Sequence, residues 1–258
     1  MPVSGVEPKA KRAPRGLLRR ILRRIRLALR PLWYFGFAVT CPICNGRFRK
    51  FLPYERPRRP NIRSPRCSCL DRHRLLWLYL RDRTSFFADR LKVLHVGPRP
   101  YLQRRFRQLE NLDYLSVDIS SPMAMVKMDI TNIALPDSQF DCIICHHVLE
   151  HVPDDERAMT ELYRVLRPGG WAILQSFIDP DRDRTFEDPS VVSAEERTRL
   201  FGQGDHVRVY GRDYKERLEG AGFTAKADDF VTTLGDEAVR RHGLPKDELV
   251  YFCTKQLP

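Results

Sequence analysis

The chain has 258 residues, 42% apolar and 30% charged, which is enough for one well-buried domain and a small appendage. The formal charge of +12 is concentrated at the front, where residues 1–80 hold 20 Lys and Arg against Glu7, Glu55 and Asp71; the rest is mildly acidic. An anionic partner, RNA or a membrane surface, is therefore expected through residues 1–80 only. Seven cysteines, an odd number, argue against a disulfide framework. No secretory signal fits, and no apolar run approaches the roughly 18 residues of a membrane span. The expected compartment is the cytosol, with the front able to sit peripherally on a membrane.

Residues 1–15 read as a disordered basic tail. Residues 16–38 follow a helical period, with Leu18, Ile21, Leu22, Ile25 and Leu29 on one stripe, arginines mostly elsewhere, and Trp33, Tyr34, Phe35 and Phe37 next. Such a helix either lies in a membrane interface or packs on its own protein behind a solvated arginine face. Residues 39–75 form a small Cys-rich module. Cys41-Pro-Ile-Cys44 followed by Asn45-Gly46 has the shape of a zinc knuckle, and Cys67 and Cys69 supply two further thiols. Ser64 stands where a second C-x-x-C would begin, so the ligand set is Cys41, Cys44 and Cys67 with Cys69, or with His73 in its place.

From residue 76 onward, strands and helices alternate. Strands fall at Lys92–Val96, Tyr114–Val117, Ala124–Met128, Phe140–Cys145, Trp171–Phe177, Ala225–Phe230 and Leu249–Thr254. Helices fall at Leu70–Phe87, Tyr101–Leu109, Pro153–Leu166 and Arg212–Glu219. This pattern means a largely parallel sheet flanked by helices. Ala158, Leu162, Val165 and Leu166 share one helical face, and Gly169-Gly170 gives the chain freedom to return into Trp171. Cys142, Cys145 and Cys253 read as core residues, because positions three apart in a strand face opposite sides.

Three strand ends carry the chemistry. Gly97 sits at the turn after the first strand, where a missing Cβ lets a ligand approach the backbone. Asp118 ends the second strand about twenty residues later, where a carboxylate can accept two ribose hydroxyls. Asp129 follows the third strand, placed to receive an adenine amino group. One glycine cannot seat the pyrophosphate of a nicotinamide dinucleotide, which argues against a dehydrogenase. His147-Val-Leu-Glu150-His151 also matches the string of inverted zinc metallopeptidases, but a strand end and Pro153 leave too little helix for that site.

Lys92 to Phe177, with its FD…VLEHV and LRPGG segments, resembles the class I S-adenosylmethionine-dependent methyltransferases. The resemblance implies a Rossmann-like, seven-stranded, mostly parallel sheet over residues 76–258, its last strand antiparallel. It implies that Gly97 lines the methionine part of S-adenosyl-L-methionine, Asp118 holds the ribose and Asp129 the adenine. His146 and His147 face cofactor or substrate, and His95 and Ile130 join the cofactor-binding set. The family's usual first loop has two or three glycines, whereas this one has a single glycine.

Residues 179–210 form a charged insertion that reads as a lid shaping the acceptor site, with Phe201, His206, Arg208 and Tyr210 as lining candidates. His151 and His206 are the candidate general bases, since imidazole titrates near neutral pH. The acceptor expected is a small molecule or a lipid- or glycan-linked group. An rRNA or tRNA methyltransferase is the alternative, since certain rRNA guanine methyltransferases also join a zinc module to this fold. A non-catalytic scaffold with a vestigial cofactor pocket is the third.

Overall fold

The computed structural model describes residues 15–55 and 58–257. The expected basic tail lies outside the described residues, as do the side chains of Leu18 and Ile21. Helix α1 (Arg15–Trp33) leads into strands β1 (Phe35–Cys41), β2 (Gly46–Phe48), β3 (Leu52–Glu55) and β4 (Arg58–Arg63), which pair as two antiparallel ribbons, β1 with β2 and β3 with β4. Then come α2 (Asp71–Arg83), β5 (Leu91–Val96), α3 (Pro100–Phe106), β6 (Leu112–Asp118), β7 (Val126–Lys127) and β8 (Phe140–His146). A one-turn helix at Leu149–His151 precedes α4 (Asp155–Val165) and β9 (Leu166–Gln175). The chain continues through β10 (Phe186–Glu187), α5 (Ala194–Phe201), β11 (Arg208–Val209), α6 (Tyr214–Gly220), β12 (Thr224–Asp228), α7 (Phe230–Thr233), α8 (Gly235–His242) and β13 (Val250–Thr254).

Seven strands form the main sheet in the order β12-β13-β9-β8-β5-β6-β7. Strands β5 to β9 pair in parallel, and β13 runs antiparallel to both of its neighbours. The seven-stranded Rossmann-like fold read from the sequence is the fold observed. From Cys142 onward, alternation along β8 sends Cys142 and Ile144 into the core on one face and Ile143 and Cys145 into the core on the other, which Phe140 joins across a register shift between Phe140 and Cys142. Both faces are therefore covered, which is why these strands read as continuous apolar runs. On the second face α4 buries Ala158, Met159, Leu162 and Val165, each large side chain worth about 1.5–3 kcal/mol.

The first face is shared. Leu75, Leu76 and Leu78 of α2 pack there with Phe106 of α3 and with Cys41, Ile43, Phe48, Phe51 and Cys69 of the front module. The module and the sheet thus have one core between them, although the sequence reading separates them at residue 75.

Some boundaries differ from expectation. Leu166 is already extended and β9 starts there, and the expected glycine freedom is used inside the strand: Gly169 takes φ +75°, where the register on β8 shifts between Leu166 and Trp171. Gly169 and Gly170 lie inside β9 and exchange backbone bonds with Lys255 (2.8 and 3.1 Å). Any Cβ on Gly170 would meet the carbonyls of Arg167 and Asp141 at 2.9 Å, so glycine serves close packing here. Phe177 lies beyond the strand and is exposed. Phe230 starts α7 instead of ending β12, and α5 lies within the expected insertion.

Candidate cofactor and acceptor site

Gly97 follows β5 at φ +60°, donating its N–H to the Val117 carbonyl at 2.9 Å. A Cβ there would come within 2.5 Å of a Val148 methyl and 3.9 Å of Asp118 Oδ2, so turn, β8 end and carboxylate converge on this point. Asp118 Oδ1 accepts from the backbone N–H groups of Ser120 (2.8 Å) and Ser121 (2.7 Å). All the bonds the described chain makes to this carboxylate fall on Oδ1, leaving Oδ2 directed toward Gly97. Asp129 is oriented in the same way, its Oδ1 taking the N–H and hydroxyl of Thr131, both at 2.8 Å. Ile130 beside it is buried, while Ile119, Met123 and Met125 expose apolar side chains between the two carboxylates in sequence. One glycine turn and two oriented carboxylates at neighbouring strand ends fit a nucleoside without phosphate.

Two of the histidines expected there point elsewhere. His95 shares the face of Val93, and His146 that of Cys142 and Ile144, as a period of two requires. His95 is buried against Phe106, with Nδ1 2.7 Å from the Tyr114 hydroxyl, and burial pushes its pKa down to about 3. His146 lies beneath α2, its ring 5.3 Å from that of His73, lining a small cavity with Arg72, Leu76, Gln175 and Glu248. Burial, reinforced by the neighbouring His147, holds it well below the usual histidine range. Both are neutral core residues.

His147 does reach the strand ends. It adopts φ 56°, which takes it out of the strand's alternation, and its Nδ1 lies 2.9 Å from Glu150 Oε1. The other oxygen of Glu150 accepts from the Ser176 hydroxyl at 2.7 Å, at the end of β9. Burial works to raise the Glu150 pKa, but the bonds from His147 and Ser176 outweigh it and hold the carboxyl at about 2. His151 and His206 stand together, ring centres 4.7 Å apart. His206 is buried, which lowers its pKa.

The insertion folds as a cap with its own small core of Val191, Phe201 and Val209. Three residues expected to line an acceptor pocket are scaffolding instead. Phe201 is in that core, and the Tyr210 hydroxyl donates to buried Asp155 at 2.6 Å. Arg208 is buried against Glu187 and the carbonyls of Leu149, Val152 and Pro153. Of the four, His206 keeps a chemically available group.

In the front module, Cys41, Cys44 and Cys67 bring their sulfurs within 4.8 Å of one another. Cys69 Sγ lies 3.4 Å from Cys41 Sγ, and Ser64 Oγ lies 3.8 Å from Cys44 Sγ. Asn45 and Ser68, each just after a cysteine, both have positive φ, so the two segments make similar knuckles. Bonds among the sulfurs raise the Cys41 pKa and lower that of Cys67, while burial raises that of Cys69. His73 is not in this cluster; its Nδ1 accepts the Leu70 N–H at 3.1 Å and meets the Tyr101 hydroxyl. Glu248, the Ser176 hydroxyl and Tyr101 carried no sequence signal, being far apart in the chain and of common types.

Residues 84–174 match a family model described as a methyltransferase domain. This stretch, from the end of α2 to β9, is similar to a methyltransferase domain. Over 65 residues the chain is 32% identical to the ubiquinone/menaquinone biosynthesis C-methyltransferase UbiE of Enterobacter sp. (strain 638), covering 25% of this chain and 26% of that protein. A further 77 residues' match, 36% identical, is to an uncharacterized 37.1 kDa protein of a Streptomyces fradiae transposon, covering 30% and 19%. The chain thus spans about a quarter or less of the length of these curated relatives. Among solved structures, YcgJ from Bacillus subtilis is 18% identical over 70% of this chain and 94% of that one, at TM-score 0.46. A SAM-dependent methyltransferase from Archaeoglobus fulgidus is also 18% identical, over 70% and 93%, at TM-score 0.45.

Proposed function

We propose that this protein transfers a methyl group from S-adenosylmethionine to a small-molecule or lipid- or glycan-linked acceptor. The observation that carries the reading is the convergence of Gly97 and the free Oδ2 of Asp118 at adjacent strand ends. In this reading Asp118 holds the ribose hydroxyls, Asp129 the adenine amino group, and Ile119 and Met123 flank the base. The cofactor supplies a sulfonium-activated methyl group. The chain contributes mainly positioning, the His147–Glu150–Ser176 chain fixing the floor at the ends of β8 and β9. His151 and His206, paired with ring centres 4.7 Å apart, are assigned to acceptor activation. A structural zinc held by Cys41, Cys44, Cys67 and Cys69 would complete the front module.

The face of α1 supports a lipid-linked acceptor over RNA. Leu22, Ile25, Leu29, Leu32 and Trp33 are exposed there, continuous with exposed Phe35 and Phe37 on β1, and Arg20, Arg24 and Arg26 are exposed on the same helix. Phosphate tracking along RNA needs arginines but no exposed leucines or tryptophan; an anionic bilayer surface uses both. Among the described residues no helix is long and apolar enough to cross a membrane, so the contact would be interfacial. The test has two arms. Incubation with fractionated lipid and aqueous extracts should yield S-adenosylhomocysteine with the lipid fraction, and the full chain should float with anionic but not neutral vesicles. Turnover confined to RNA, with no flotation, would overturn the lipid reading.

A further inference from the structure

We propose that Glu150, His151 and His206 form a second metal site, for a divalent first-row cation, between the one-turn helix at Leu149–His151 and the insertion. Each residue presents one ligand atom, and the three atoms lie within 4.8 Å of one another. His206 Nδ1 faces the Phe201 carbonyl at 3.0 Å. A carbonyl only accepts, so Nδ1 carries the proton and Nε2 presents a lone pair. That Nε2 is buried and has no partner, in a residue only 4% exposed. Leaving such an atom unpaired costs about 1–3 kcal/mol, and a cation would remove that cost. His151 is set in the same way: Nδ1 faces the Asp205 carbonyl at 3.1 Å, which leaves Nε2 as its lone-pair nitrogen. Carbonyl-anchored imidazoles of this kind have tautomer and ring direction fixed before a metal arrives.

Glu150 supplies the anionic ligand. It is 2% exposed, and the His147 ring and Ser176 hydroxyl orient both of its oxygens, each of which retains a lone pair. The two segments that carry the ligands are tied together. Val207 donates its N–H to the Glu150 carbonyl at 3.0 Å, and the Arg208 guanidinium bonds the Leu149 carbonyl at 3.1 Å. Two imidazoles and one carboxylate suit zinc, iron(II), cobalt(II) or nickel(II) better than magnesium or calcium, which favour all-oxygen shells. Three protein ligands leave positions open for an oxygen or nitrogen of the acceptor. That use of the site rests on the methyltransferase reading; the binding of the cation does not.

Cobalt(II) titration of the metal-free full chain tests this. Cobalt on thiolates gives strong near-ultraviolet charge-transfer bands with visible bands of their own, whereas a two-histidine, one-carboxylate site adds weaker visible bands with no charge-transfer counterpart, read as the difference between wild type and each variant. The expected result is a set of weak visible bands that His206→Gln and Glu150→Ala each abolish, with cobalt affinity at this site at least about tenfold weaker and any thiolate bands retained. Circular dichroism of both variants checks folding, and His151→Gln, on the less buried ligand, gives the same loss if either variant misfolds. Visible bands that are absent from the wild type, or unchanged in all three variants, overturn the site. Calorimetry with S-adenosylhomocysteine on the same samples separates the two ideas. Cofactor heat without the visible bands removes the metal site alone, and visible bands without cofactor heat remove the methyltransferase reading alone.

Discussion

The guanidinium carbon of Arg74 lies 3.9 Å from the centre of the Phe51 ring, in the core between the front module and the sheet. Arg74 is fully buried on α2 and bonds the carbonyls of Ile62, Cys69, His242 and Gly243. One side chain therefore ties β4, the second knuckle and the end of α8 to α2. Gly243 completes the junction: it has φ 55°, and a Cβ on it would meet Phe51 at 2.7 Å.

Arg74→Met keeps much of the volume but leaves those carbonyls without their donor. A destabilisation of about 3 kcal/mol or more is expected in urea unfolding, with a single transition for module and sheet. A loss below about 1 kcal/mol, or two separate transitions, would show that the module folds independently of the sheet.

Gly97→Ala probes the turn. An alanine at φ +60° costs about 1–2 kcal/mol, and its methyl would press on Val148 beside the Asp118 carboxylate. Cofactor affinity should fall about tenfold while the variant stays folded. Unchanged affinity would mean that no ligand approaches this backbone.

The sheet, its strand ends and the two aspartates were legible because each rests on local pattern: continuous apolar runs for doubly covered strands, and acids where those runs stop. The burial of His95 and His146 follows from local pattern as well. The same alternation that puts Cys142 and Cys145 on opposite faces puts His146 under α2. The charged sequence of the cap hides the burial of Arg208 and Tyr210, which rests on partners distant in the chain, Asp155 and Leu149 among them, 55 or more residues earlier. No local signal marks such long-range pairing. The Arg74 junction was equally invisible, since its acceptors are backbone carbonyls, two of them nearly 170 residues away.

Glu248 gives a pH signature. Burial, with the Asp71 charge adding to it, raises its pKa to about 7, while Arg72, Arg59 and the Gln175 amide oppose the rise and His147 stands 4.0 Å away. A carboxyl with a raised native pKa binds its proton more tightly folded than unfolded. Its contribution to stability is therefore full below the ordinary glutamate pKa of about 4.5 and is lost as pH rises toward 7. Wild type should lose up to about 2–3 kcal/mol relative to Glu248→Gln between pH 4.5 and 7.5, read from paired denaturation curves. A constant difference across that range would contradict the assignment.

Metal analysis of the purified chain should find zinc that Cys44→Ser releases. Because Cys41 and Cys69 share the core beneath α2, its removal by a chelator should lower Tm of the whole protein by several degrees. A Tm insensitive to chelation would leave the cysteine cluster as plain packing.

The berth formed by Gly97 and Asp118 is tested most directly by titration calorimetry of S-adenosylhomocysteine into the full chain and into Asp118→Asn. The asparagine keeps an oxygen for the Ser120 and Ser121 N–H groups, so the turn survives while the free anionic oxygen is lost. Clear binding heat for wild type, at least about tenfold weaker affinity for the variant, and nearly equal Tm without ligand are expected. Equal affinities for the two proteins, or no heat for either, would contradict the cofactor berth.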